Sequence, residues 1–300
     1  MRSDDFLRCS LAAGLALLLS ACNTMPPAST VEPAHSAPST TTTATTPTLP
    51  PAQWQAQLQA MPLPSVLLLG EQHDAAAHQR WQLATVQKLI ARKQLAALVL
   101  EMAEQGHSTA GLQPSASEAT VRKALRWDDK GWPWKAYGPS VMAAVRANIP
   151  VVGGNVPRDK MRDVMQQPEW DSHLSPAAWE QQRQAIRSGH CDLLPEAQII
   201  PMARVQLAKD ALMAHTAQSA IQAGKTVVLI AGRGHVLRSV GIPTWLAPSS
   251  SHVIAIAQAG PKAQAEASEH DFVIQTPAVP DKDHCAKLRA QWAPSDPQNP

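Results

Sequence analysis

Charged and hydrogen-bonding side chains follow four apolar segments of the sequence, at the points where those segments stop. They are Glu71 and His73, Glu101, Asn155 and Arg158, and Arg233 and His235. Two histidines and two glutamates offer the ligands that a divalent metal ion takes in hydrolases, where the metal makes a bound water acidic. Arginines can instead hold a carboxylate through paired hydrogen bonds. The same residues therefore allow two kinds of site, one for a metal ion and one for an anionic ligand.

The segments that must position these side chains read as buried β-strands. The Val-, Leu- and Ile-rich runs lie at 65–70, 97–101, 149–154, 226–232, 252–257 and 272–275, with helical stretches at 75–93 and 139–147. Alternating strands and helices indicate a parallel sheet. In such a sheet the carboxyl ends of the strands share one edge, where ligands bind in open α/β folds. We therefore expect the polar residues to form one site.

The stretch from 157 to 222 shows helical spacing only, interrupted by Pro168, Pro195 and Pro201. The predicted fold is thus α/β, a mainly parallel central sheet flanked by helices, with this segment inserted as a smaller helical subdomain. Residues 52–300 are long enough to form that domain around one core.

The N-terminus has the features of a secretory signal. An apolar run at 10–19 is roughly half the ~20 residues needed to span a bilayer. The sequence Leu19-Ser20-Ala21-Cys22 after it resembles the lipobox of bacterial lipoproteins, which implies cleavage of residues 1–21 and a lipid on Cys22. Asn23 stands where an aspartate would favour inner-membrane retention. We therefore expect a membrane anchor, at the periplasmic face of the outer membrane.

Residues 22–51 are mostly Pro, Thr, Ser and Ala, a composition that cannot bury enough apolar surface to fold. They are predicted to be a disordered tether. The whole chain carries 26 basic and 24 acidic residues. This balance argues against a nucleic-acid partner.

Two cysteines remain after processing and lipidation, Cys191 and Cys285. In an oxidising compartment they allow a disulfide, which would contribute about 4 kcal/mol by closing a long loop. Two unpaired thiols are the alternative, because sequence does not give the spacing of the Cα atoms.

Two Gly-x-x-His motifs make a family resemblance specific: Gly70-Glu-Gln-His73 and Gly232-Arg-Gly-His235. Each follows a predicted strand. With the segments WPWKAYGPS (132–140), NVPRD (155–159) and GHC (189–191), they resemble the ChaN-like haem-binding lipoproteins of the Tiki/TraB superfamily. One departure from the expected pattern is Lys209, where an arginine would precede Asp210.

The resemblance implies haem or a related tetrapyrrole as cofactor, iron or haem uptake as the role, and a homodimer that encloses haem. It also implies a tyrosine ligand to the iron, and Tyr137 is the one tyrosine of the chain. A tyrosine packed at a helix start is the structural alternative. The candidate haem-binding residues are Tyr137, His73, His78, His235, Asn155, Arg158 and Arg233.

The other branch of the superfamily implies a metal-dependent hydrolase or protease. A divalent ion would then bind Glu71, His73, Glu101 and His235, with Glu71 and Glu101 as the catalytic candidates. Whether the protein is an enzyme stays open at this point, as do the substrate of a hydrolase and the oligomeric state.

Overall fold

Seven parallel strands form the sheet that the alternating sequence pattern predicts. The protein is described here by a computed structural model, which covers residues 46–261, 268–280 and 282–292. The strands are β1 (Thr48–Leu49), β2 (Val66–Glu71), β3 (Leu95–Glu104), β4 (Val151–Asn155), β5 (Thr226–Gly232), β6 (His252–Ala259) and β7 (Phe272–Thr276). Their order across the sheet is β1-β7-β6-β2-β5-β3-β4, and every neighbouring pair is parallel.

Helices cover both faces of this sheet. They are α1 (Pro51–Ala60), α2 (Ala76–Ala91), α3 (Glu118–Ala124), α4 (Trp134–Arg146), α5 (Met161–Met165), α6 (Pro176–Gly189), α7 (Glu196–Ser219) and α8 (His284–Trp292). Alternate residues of β2 pack on opposite faces: Leu67 joins the cluster under α1, α2 and α4, whereas Leu68 joins the cluster under α7. Burial on both faces explains why the strand is a continuous apolar run.

The helical insert at 157–222 contains α5, α6 and α7 with short 3-10 turns. Its last helix, α7, returns to the sheet and packs against β4, β3 and β5, and Met213 belongs to the hydrophobic cluster on this face. Helix α6 packs on α7 through Ile186, Ile199 and Ala203. The insert is therefore continuous with one face of the sheet.

Pro201 does not interrupt the helix, contrary to the sequence interpretation. It lies inside α7, one turn after the start at Glu196. A proline removes one backbone donor and crowds the preceding turn, and here the long helix tolerates it close to its N-terminal end. Pro168 and Pro195 do stand at helix starts.

A disulfide joins Cys191 and Cys285, with a Cα–Cα distance of 5.7 Å. Cys191 follows α6, and Cys285 lies in α8. The bond therefore attaches the last helix to the corner between α6 and α7.

Strand β1 and the first residue of α1 occupy the last residues assigned to the tether, so the folded part begins a few residues before position 52. The signal segment and Cys22 lie outside the described residues. Within the described residues, no helix is long and apolar enough to cross a bilayer.

Candidate functional site

The two Gly-x-x-His motifs lie side by side because β2 and β5 are neighbours in the centre of the sheet. Glu71 pairs with Gly232 in their shared register. His73 follows β2 by two residues, and His235 follows β5 by three. The strand ends thus bring both histidines to one edge of the sheet, as the sequence predicts.

The glycines of the two motifs allow the motifs to pack closely against each other. A Cβ atom on Gly232 would lie 2.8 Å from His73 Nε2, and one on Gly70 would lie 2.5 Å from Val236 Cγ2. Real Cβ atoms do not approach other atoms so closely. Both positions therefore need glycine for close packing.

Glu71 is the centre of the first half of the site. Its Oε1 accepts hydrogen bonds from the Tyr137 hydroxyl at 2.6 Å and from His73 Nδ1 at 2.9 Å. Its Oε2 accepts one from Gln79 Nε2 at 2.8 Å. Since Glu71 is only 2% exposed, these donors replace the water that a carboxylate otherwise requires.

Glu101 and His235 form the second half. Glu101 Oε2 accepts the Gly232 N–H at 2.7 Å, and its Oε1 lies 3.4 Å from His235 Nε2. The other ring nitrogen of His235 lies 2.6 Å from Asp210 Oδ1. Burial lowers the pKa of His235, but the charges of Glu101 and Asp210 outweigh it and raise the pKa to about 10. His235 is therefore an imidazolium held between two carboxylates.

His73 connects the two halves. Its Nε2 lies 3.8 Å from Glu101 Oε2, and its ring meets the edge of Trp132 with the centroids 4.8 Å apart. Burial lowers the pKa of His73, but the hydrogen bond to Glu71 and the charge of Glu101 raise it above its usual value. We call Tyr137, Glu71, His73, Glu101, His235 and Asp210 together the carboxylate network.

Tyr137 lies behind the network, in the core. Its side chain is 3% exposed, and it packs in the cluster under α2 and α4. Burial and the charge of Glu71 raise the pKa of the phenol far above its usual value. The hydroxyl is thus a neutral donor to Glu71, and a phenolate that binds iron would first have to give up that bond.

The described residues do not present a metal site that is ready to bind an ion. In the part of the chain that the structure describes, no group of three or more His, Cys, Asp or Glu side chains is arranged to hold a metal ion. Both ring nitrogens of His235 already face carboxylates, which leaves no free lone pair on the ring.

A cleft of about 460 Å³ opens beside the network, between the ends of β2 and β5 and the helices α6 and α7. Its polar lining includes His73, His190, Arg233 and His235. Its apolar lining includes Ile186, Leu237 and Val240. The volume lies within the ~300–1,000 Å³ of small-molecule pockets.

Arg233 is partly buried at this cleft. Among the residues that the structure describes, its guanidinium has no hydrogen bond and no carboxylate partner, and burial lowers its pKa. His78 and His270 lie near enough for the charge of Arg233 to lower the pKa of both, after the larger effect of their burial. The site thus holds a cation whose natural complement, an anion, is not supplied by the described chain.

His190 also lines the cleft, at the end of α6. Its Nδ1 lies 2.8 Å from the carbonyl oxygen of Ile186. Because a carbonyl can only accept, Nδ1 carries the proton of this bond. We call Arg233 and His190 the open wall, since each keeps bonding capacity toward the cleft.

Three predicted residues lie elsewhere. His78 is fully buried, with Nδ1 accepting the Gln72 N–H and Nε2 3.1 Å from Thr276 Oγ1, and burial lowers its pKa to about 4. Asn155 donates to the Glu101 carbonyl at 2.7 Å and so supports β3. Arg158 is exposed and pairs with Asp128.

Arg158 lines two adjoining clefts of about 240 and 640 Å³, and Trp132 lines the smaller one. The smaller one reaches Glu101, but neither touches His73 or His235. The structure thus separates Arg158 from the edge where the two motifs meet.

Sequence reasoning missed Gln79, His190 and Asp210 as site residues. Asp210 and His190 stand in segments that carry the family resemblance, which was the available signal. No sequence signal marked Gln79, because a glutamine in a helix is usually a surface residue.

Comparison with known proteins shows a family match for this chain. Residues 58–246 match the family described as haem-binding uptake, Tiki superfamily, ChaN. This confirms the resemblance drawn from the two motifs. No curated protein matches the chain.

Solved structures align with most of the chain. ChaN of Campylobacter jejuni, described with cofacial heme binding, aligns with a TM-score of 0.61 at 22% identity, over 74% of this chain and 90% of that one. The type III effector HopBA1 aligns at 15% identity with a TM-score of 0.42, over 72% of this chain and 88% of the effector. A Bacillus cereus protein aligns at 14% identity with a TM-score of 0.33, over 70% of each chain. The alignment with ChaN confirms the α/β fold with a parallel sheet.

Proposed function

The chain belongs to the haem-binding uptake family of the Tiki superfamily that includes ChaN, and we propose that it binds haem or a related tetrapyrrole in the cleft beside its two Gly-x-x-His motifs. The observation that carries the proposal is Arg233, a partly buried cation on that cleft with no carboxylate partner in the described residues. A haem propionate is such a partner.

The lining of the cleft suits a tetrapyrrole. Ile186, Leu237 and Val240 offer apolar contacts for the faces of a macrocycle. Arg233 can make paired hydrogen bonds to a propionate, which are stronger than neutral ones. His73, with a side chain 40% exposed and a raised pKa, can donate to a second carboxylate. Bound haem would supply a ferric iron for transport or storage.

The role in uptake includes a membrane anchor and a partner subunit. We propose that lipid on Cys22 holds the domain at the periplasmic face of the outer membrane, with the tether between lipid and fold. We propose also that haem promotes a homodimer, because a ligand shared by two subunits stabilises the associated form. The Campylobacter jejuni ChaN structure, described with cofacial heme binding, motivates this part of the proposal.

Haemin titration tests the function directly. The protein without residues 1–22 should give a saturable Soret band, and sedimentation should show association when haemin is added. A protein of similar size that has no haem site corrects for unspecific haemin adsorption. Absence of a saturable band would overturn haem binding, and a monomer with bound haemin would overturn the dimer alone.

Lipid anchoring has its own test. Cys22→Ser removes the sulfur that would carry the diacylglycerol, so the variant should incorporate no labelled fatty acid and should accumulate as a precursor or as soluble protein. Cys191→Ser, which leaves Cys22 in place, should label normally. Labelling of the Cys22→Ser variant would contradict the lipoprotein assignment.

One observation favours the alternative, a metal-dependent hydrolase. His73 and His235 each hold Nδ1 against a carboxylate and face Glu101 with Nε2, an arrangement that orients histidine ligands in metal sites. A divalent ion would have to displace both Nε2 atoms from Glu101. Metal-stimulated hydrolysis of peptides, lost in Glu101→Gln, would support this reading, and its absence would leave haem binding alone.

A further inference from the structure

We propose that residues 282–285, with the disulfide from Cys285 to Cys191, form a reducible clasp on the cleft. A dithiol opens the clasp by thiol–disulfide exchange, and haem then enters and leaves the cleft faster. The identity of the ligand rests on the proposed function, whereas the clasp rests on the fold alone. The position of the bond, its surroundings and its exposure support this role.

One end of the clasp lies on the helical insert. Cys191 directly follows His190, which lines the cleft at the end of α6. Between Ile186 and Ile199 the chain turns the corner from α6 to α7, and no residue of this described stretch is buried. Leu194 is only partly buried against the cluster between the two helices. The disulfide is therefore a covalent restraint on a corner that has little packing of its own.

The other end of the clasp reaches the edge of the sheet. Lys282 Nζ donates to Asp74 Oδ2 at 3.1 Å. Asp74 follows His73, which lines the cleft just beyond β2. Lys282 and Cys285 are three residues apart, a span of at most about 11 Å in a fully extended chain. The clasp thus limits the separation of two parts of the chain that both carry cleft residues.

The C-terminal segment has little else to hold it in place. Among the side chains of α8 that the structure describes, none is buried and none belongs to a hydrophobic cluster. The ion pair of Lys282 with Asp74 is exposed, and exposed pairs contribute little free energy. Breaking the disulfide should therefore release α8 and the α6–α7 corner together, while the sheet keeps its packing.

The disulfide is open to attack by a thiol. Cys191 and Cys285 are both partly exposed, and exposed disulfides are among the labile and regulatory ones. A thiolate of the dithiol attacks one sulfur, the bond between the two Sγ atoms breaks, and a mixed disulfide forms. The second thiol of the reductant then displaces the cysteine. The dithiol becomes an intramolecular disulfide, and two electrons and two protons pass to Cys191 and Cys285, which become thiols.

Haemin kinetics test the effect of the clasp on the ligand. The protein without residues 1–22 has no cysteine other than Cys191 and Cys285, so the double variant Cys191→Ser, Cys285→Ser has a permanently open clasp. Both the association rate and the dissociation rate of haemin should rise at least about tenfold in this variant. The reason is that the open state of a two-state protein is otherwise a minor population of roughly 0.1–10%. The equilibrium affinity should change less than either rate.

Lys282→Met separates the clasp from the bond itself. This variant keeps the disulfide but loses the contact with Asp74, so both haemin rates should rise by a smaller factor than in the double variant. Lys123→Met, which changes an exposed lysine of α3, is the matched control and should leave both rates unchanged. A disulfide that only stabilises the fold would lower the free energy of unfolding in the double variant without altering either rate.

Two measurements need no haemin. Dithiothreitol should reduce the disulfide in the native protein, and thiol titration should then find two thiols per chain. Hydrogen exchange should increase after reduction at 187–198 and 282–292 but not in the strands. A disulfide that resists dithiothreitol until the protein unfolds would refute the clasp, as would unchanged exchange at the corner after reduction.

The outcomes keep the two proposals apart. A wild-type protein that binds no haemin refutes the proposed function, and hydrogen exchange then decides on the clasp alone. Equal haemin rates in the wild type and in a folded double variant refute the clasp and leave haem binding intact. If the double variant does not fold, equal rates in Lys282→Met and the wild type lead to the same conclusion.

Discussion

The carboxylate network and the open wall lie on the same cleft but differ in how their hydrogen-bonding capacity is used. In the network, Glu71 has three donors, and Glu101 has the Gly232 N–H and two histidines nearby. On the open wall, Arg233 has no partner and His190 uses one of its two nitrogens, among the residues described. The buried charges of the carboxylate network therefore all have partners, whereas the open wall keeps unused hydrogen-bonding groups.

This difference separates what holds the site together from what binds the ligand. Buried charges with full sets of partners fix the positions of strand ends, and removing one leaves its partners unpaired. Groups that keep a free donor or lone pair at a cleft can gain a partner when a ligand arrives. Changes in the network should therefore act mainly on stability, and changes in the wall mainly on haem affinity.

Glu101→Ala should cause the largest loss of unfolding free energy. The change removes the carboxylate between two histidines and leaves the Gly232 N–H unsatisfied, which should cost about 3–5 kcal/mol of unfolding free energy. Urea unfolding measures it. Glu104→Ala, on the same strand but only partly buried, is the matched control and should cost less than about 1 kcal/mol. Equal costs at the two positions would contradict a closed network.

The next largest effect is a pH dependence of the unfolding free energy, which arises from His235. Its folded pKa, about 10, lies above the unfolded value of 6.5, so the folded protein retains a proton that the unfolded chain loses. The stability from this group is complete below about pH 6.5 and falls as pH rises towards 10. Over the roughly 3.5 units between these two values the fall amounts to at most about 5 kcal/mol, at 1.36 kcal/mol per pKa unit, of which about 3 kcal/mol lies between pH 7 and pH 9.5.

The measurement is the difference in unfolding free energy between pH 7 and pH 9.5, in the wild type and in His235→Gln. The variant lacks the titrating ring, so its difference should be clearly smaller. Identical differences in the two proteins would show that His235 is not held as an imidazolium.

Tyr137→Phe should cause a smaller loss of unfolding free energy. Glu71 loses a charge-assisted hydrogen bond, which is worth roughly 1.5–3 kcal/mol of stability. Since the ring stays in the core and does not line the cleft, haemin affinity and spectrum should change little. A spectrum that disappears with the hydroxyl would instead support the tyrosine ligand implied by the family resemblance.

The sequence predicted much of the fold and half of the site. Buried parallel strands are continuous apolar runs, so the sequence locates β2, β3, β4 and β5 to within a few residues. The carboxyl ends of parallel strands share one edge of the sheet, regardless of the conformation of the loops. This is why the sequence alone places Glu71, His73, Glu101 and His235 together.

The residues that sequence did not place come from helices and a corner. Asp210 and Tyr137 reach the network because of the rotation of α7 and α4 about their axes, which a sequence pattern fixes only approximately. His190 follows the end of α6, and its tautomer depends on one carbonyl contact. His78 was predicted to contact the ligand because it lies close to a Gly-x-x-His motif in the sequence. In the structure both of its ring nitrogens have hydrogen-bond partners inside the fold.

Arg233 gives the most direct test of haem binding at the open wall. Arg233→Met keeps the length of the side chain but removes its charge, and loss of one charge-assisted propionate contact should weaken haemin binding by about ten- to a hundredfold, or roughly 1.5–3 kcal/mol. Arg238→Met, on the same segment but already paired with Asp271, is the control and should bind haemin normally. Measured by haemin titration, a loss confined to Arg233→Met supports the account. Unchanged affinity in a folded Arg233→Met protein would contradict it.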